Sequence, residues 1–68
     1  MAKKNDVEEA IRYHEWNLAR LINERNAALK RREAGEYISD YYLERTEATI
    51  KSVEETIHNY RTIGRAYK

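Results

Sequence analysis

Glu55-Thr-Ile-His58 sets a carboxylate and an imidazole three residues apart, so on a helix the two side chains converge on one point. Di-iron sites in helical bundles are assembled from that spacing, one copy from each of two helices. Such a site must face a bundle interior. Glu55 and His58 instead fall on the polar side of their segment, with no inward glutamate opposite. A solvated face, with Glu54 and His58 as an i,i+4 pair, accounts for them. His14-Glu15 does not open a zinc helix either, because Leu18 stands where the second histidine is needed. There is no cysteine, and Ser39 and Ser52 have no paired histidine in a sequence-visible arrangement. Gly35 and Gly64 look like helix terminators rather than parts of a phosphate-cradling loop. The residues predict a non-enzyme that uses no metal and no cofactor.

Recognition is the chemistry the residue types favour. At about 100° per residue, Tyr13, Trp16, Arg20, Ala27, Arg31 and Ala34 share one sector of a helix, flanked by Arg12 and Lys30. Tyr, Trp and Arg dominate binding hot spots, because they offer large contact area and directional polar groups at small entropic cost. Tyr13, Trp16, Arg20 and Arg31 are therefore the expected contacts for a protein partner. The rival reading is nucleic acid or a nucleotide: Lys30-Arg31-Arg32 with Arg12 and Arg20 makes a basic edge, and Tyr13 and Trp16 could stack on bases. Glu24, Glu33 and Glu36 dilute that edge, and a net charge of +1 argues against polyanion binding by the whole surface.

Two helices must position these groups. With no proline, two glycines and 37% charged residues, the 68-residue chain is built for long helices and has room for one small domain. Asp6 is the expected N-cap of the first, Lys30, Arg31 and Arg32 suit its negative end, and Gly35 can take the left-handed conformation after it. The second begins after Ser39, with Ile38 and Leu43 placed as a hydrophobic staple, and runs to about Ile63. Helices over 6–34 and 40–63, joined by 35–39 and followed by a tail over 64–68, must fold back antiparallel across so short a connection.

Leu43, Thr46, Ile50, Val53, Ile57, Tyr60, Gly64 and Tyr67 step by alternating threes and fours, the pattern of a coiled-coil seam. Tyr42, Thr49, Thr56 and Ile63 lie beside it and widen it. Helix one answers with Val7, Ile11, Leu18, Leu21, Ile22 and Leu29, but His14, Arg25 and Arg32 fall in the same sector. Antiparallel pairing brings Arg25 to Thr46 and Glu47, and His14 to Ile57 and the Tyr60 hydroxyl. His14, Arg25 and Glu47 thus form a polar seam that either sets register or holds a ligand.

Only twelve residues are Leu, Ile, Val or Phe, too few for an ordinary core. Without disulfides, self-association is the remaining common support for so small a fold. The sequence predicts an all-α, two-helix antiparallel hairpin that forms a four-helix or larger bundle, most simply a dimer. Leu18, Leu21, Leu43, Ile50, Val53, Ile57 and Tyr60 are its expected interface. In size and layout this resembles the small plasmid-encoded RNA-binding helical-hairpin dimers, a likeness that implies RNA binding without transferring any residue. Phage and mobile-element accessory proteins, including inhibitors of host machinery, are similar in size and style. No signal-peptide h-region and no run of eighteen apolar residues is present, so a cytoplasmic protein without membrane contact is expected.

Overall fold

The computed structural model describes residues 4–65, with side chains over 6–64. Helix α1 spans Lys4–Glu33 and helix α2 spans Asp40–Arg65, packed against each other as an antiparallel hairpin. The molecule is a rod of 51 × 16 × 15 Å. No helix among the described residues is long and apolar enough to cross a membrane.

The turn follows local chemistry. The Gly35 amide donates to the Arg32 carbonyl at 3.1 Å and the Glu36 amide to the Arg31 carbonyl at 3.0 Å, the paired bonds of a Schellman ending. That ending needs a left-handed residue, and Gly35 sits at φ 96°. Ser39 then caps α2: its Oγ accepts from the Tyr42 amide at 3.1 Å. Arg32 Nη2 and Asp40 Oδ1, 2.9 Å apart, tie the two sides of the turn together.

Two terminal assignments differ from expectation. α1 is already helical at Lys4, so Asp6 lies in its first turn rather than at its cap. There its carboxylate still complements the positive helix end. α2 does not stop before Gly64 but continues through it to Arg65. A Cβ at Gly64 would stand 3.6 Å from Val7 Cγ1, so the start of α1 lies near the end of α2 here with room left for a methyl group. That distance is ordinary van der Waals contact. Gly64→Ala should therefore stabilise the protein by about 0.5–1 kcal/mol through helix propensity, read as a higher denaturant midpoint at fixed protein concentration. Tyr67, the last step of the seam series, lies outside the described residues.

The seam runs where helix two predicted it. Ile50 and Ile57 are 5% and 4% exposed, and Leu43, Val53 and Tyr60 are half-buried. On α1 the buried residues are Val7 and Ala28, whereas Leu29 is exposed. Placing Leu29 inside followed from a straight helix at 100° per residue. Wound around a partner, helices keep a contact line of about 3.5 residues per turn, so positions seven apart stay in register. Val7, His14, Leu21 and Ala28 are such a set. The small Ala28 takes the inward position near the turn, and Leu29 lies outside it.

Candidate interaction surface

The polar seam is closed along one edge of the hairpin. Arg25, half-buried, donates through Nη1 to Glu47 Oε1 at 2.9 Å, and Arg61 Nη2 donates to Glu15 Oε2 at 2.7 Å. With Arg32–Asp40, three ion pairs cross from helix to helix among the described residues. Asp40, Glu47 and Arg61 belong to one series at seven-residue spacing, so all three line the same edge. Exposed pairs of this kind contribute about 0–1 kcal/mol each, and their main effect is to favour this register over its neighbours.

His14 reaches Tyr60 by a different contact from the expected one. The rings stack at 5.6 Å with 26° between their planes, and Tyr13 meets His14 edge-on at 5.3 Å. Both rings enter the seam from facing positions and lie nearly parallel. Tyr13, His14 and Tyr60 thereby make a short aromatic ladder from the outer face of α1 to the seam.

Trp16 stands on the side of α1 away from α2 and is 64% exposed; Tyr13 is 62% exposed. The Arg20 guanidinium lies 6.0 Å from the centre of the Trp16 ring. It is held there from two directions, donating to Glu24 Oε1 at 2.8 Å and to Asn17 Oδ1 at 2.6 Å. An arginine fixed over an indole loses little freedom when a partner docks, which is the property a hot spot needs. Trp16, Ala19, Arg20, Asn23, Glu24 and Ala27 frame one shallow hollow.

Arg31 lines an adjoining hollow at the turn together with Ala28, Tyr37, Ile38 and Tyr42; Glu24 and Ala27 are common to both. Of the predicted contacts, Trp16 and Arg20 thus line one depression and Arg31 its neighbour, while Tyr13 lines neither. Tyr37 and Tyr42 were missed as surface residues, although three tyrosines in the six residues from Tyr37 to Tyr42 signal them. A second arginine–aromatic pair was missed as well. Arg45 lies 5.9 Å from the Tyr41 ring centre and donates to its hydroxyl at 3.2 Å, at the same i,i+4 spacing as Trp16 and Arg20. Glu55 and His58 are exposed, and among the described residues no three His, Asp or Glu side chains are grouped to hold an ion.

Comparison with protein-family models, with curated proteins and with solved structures finds no match to this chain.

Proposed function

We propose that the protein is a non-enzymatic binding module: a self-associating helical hairpin that occupies a surface of a larger protein, as an adaptor or inhibitor does. The observation that carries this reading is the exposed Trp16 under a doubly anchored Arg20. A tryptophan on the outer side of a helix contributes nothing to the hairpin seam, yet it exposes apolar area that costs free energy in water until something covers it. Around it lie Arg20, Asn23 and Glu24 with the small Ala19 and Ala27, side chains that offer polar contacts and a close approach to a docking surface.

The test compares wild-type protein with a Trp16→Ala, Arg20→Ala double variant as baits, with circular dichroism confirming equal helix content. A partner held by wild type should bind the variant at least about 30-fold more weakly, since one hot-spot truncation costs about 2 kcal/mol or more. Equal capture by both baits would remove this surface from the function. A second reading, a nucleic-acid or nucleotide binder, is favoured by Arg31 sharing a hollow with Tyr37 and Tyr42. Quenching of Trp16, the single tryptophan, by an oligonucleotide, lost steeply as salt rises, would move the assignment there.

A further inference from the structure

The two edges of the hairpin are unlike. One carries the three cross-helix ion pairs. Among the described residues no ion pair crosses the other. On α2 that second edge is Tyr42, Thr49, Thr56 and Ile63, at intervals of seven. Its threonines are less polar than they read: Thr49 Oγ1 donates to the Arg45 carbonyl at 2.9 Å and Thr56 Oγ1 to the Ser52 carbonyl at 3.0 Å. With the hydroxyls engaged in their own helix, methyl groups are left for an outside contact. Tyr42 and Ile63 at the two ends are 43% and 46% exposed. Leu21 and Thr46 border a hollow beside Tyr42 and Thr49.

We infer that a second copy of the chain covers this edge, related by a two-fold axis that crosses α2 between Ser52 and Val53. This takes up the self-association in the proposed function and relocates it, because the seam residues Ile50 and Ile57 are already covered by the chain's own α1. Three observations select a second copy as the occupant. The first is area: the chain exposes 5529 Å² at 8.2 kDa, against about 4,500 Å² for a compact monomer of that mass. The excess of roughly 1,000 Å² is what one partner of a standard interface buries, about 800 Å². The second is self-complementarity. A two-fold axis there sets Tyr42 against the second copy's Ile63 and Thr49 against its Thr56, along about 32 Å of helix.

The third is charge. On the same edge α1 contributes Ala10, Asn17, Glu24 and Arg31. The same axis pairs Asn17 with Glu24 and Ala10 with Arg31 of the second copy, so no like charges face each other. Glu24 is moreover already matched by Arg20. The ion-paired edge is left outermost, and Trp16, on the far side of α1 from the seam, stays free for another protein.

Sedimentation equilibrium at micromolar concentration should give a particle of twice the 8.2 kDa chain mass. Thr49→Glu places a charge on the strip at a residue exposed in the single hairpin. It should weaken self-association at least about tenfold with helix content retained, whereas Ala48→Glu, one residue round the helix, should not. The natural chain has no cysteine, which makes orientation testable. Under mild oxidation a mixture of Thr49→Cys and Thr56→Cys chains should cross-link into mixed dimers, and neither variant alone should. A monomeric wild type, or cross-linking of Thr49→Cys with itself in preference to the mixture, would overturn the proposal. Failure of the dimer is distinguishable from failure of the Trp16 surface, because partner capture by Thr49→Glu protein reads the latter separately.

Discussion

Ile57→Ala should abolish the folded state at room temperature. Ile57 is 4% exposed and lies on the contact line of α2. Truncating a buried isoleucine removes its transfer free energy and leaves a gap that a two-helix structure has few neighbours to fill, at a cost of about 2–5 kcal/mol. A core in a chain this short supplies no more than about 3–5 kcal/mol in total. The loss is therefore comparable to the whole stability, and far-UV circular dichroism should show mostly unfolded chain in dilute buffer. Ile63→Ala is the control. Ile63 is nearly half exposed, so its removal should shift the urea midpoint only slightly in dilute protein, with a larger shift emerging as concentration rises and copies associate. A cooperative, near-native melt for Ile57→Ala would mean that the seam is not the source of stability.

Gly35→Ala is the second large effect. A Cβ at Gly35 would meet nothing within 4 Å, so packing offers no objection to the substitution. The penalty lies in the backbone: at φ 96° an L side chain crowds its own carbonyl, costing about 1–2 kcal/mol. Because the same residue closes the Schellman bonds to Arg31 and Arg32, the strain cannot be relieved without opening the turn. A lowered denaturant midpoint with unchanged helical signal at zero denaturant is expected, and Gly35→Asn should recover part of the loss, since asparagine tolerates the left-handed region. Set beside Gly64→Ala, which should stabilise, the pair of variants shows that the two glycines do different work. Equal effects of the same sign would contradict that assignment.

The candidate surface was legible in outline. Trp16, Tyr13 and Arg20 could be placed away from the seam because a helix maps sequence spacing onto angle, and the face opposite an apolar stripe follows directly. What spacing could not show was that Arg20 is clamped between Glu24 and Asn17, or that Arg31 shares a hollow with Tyr37 and Tyr42. Those contacts depend on the rotamers of long side chains and on the path of the turn. The His14–Tyr60 contact illustrates the same limit: the pairing was foreseen, its ring-on-ring geometry was not.

The helix pair, the position of the turn, the α2 seam and the Arg25–Glu47 bridge were all present in the residues, since capping chemistry and alternating three–four spacing act locally and survive any packing. The tertiary structure alone decided the rest. It put Ala28 inside and Leu29 outside, kept Gly64 within α2 rather than at its end, and separated an ion-paired edge from a methyl-lined one. Each of these depends on how two helices wind about each other and on which sides they share, quantities that no single helix carries in its own sequence.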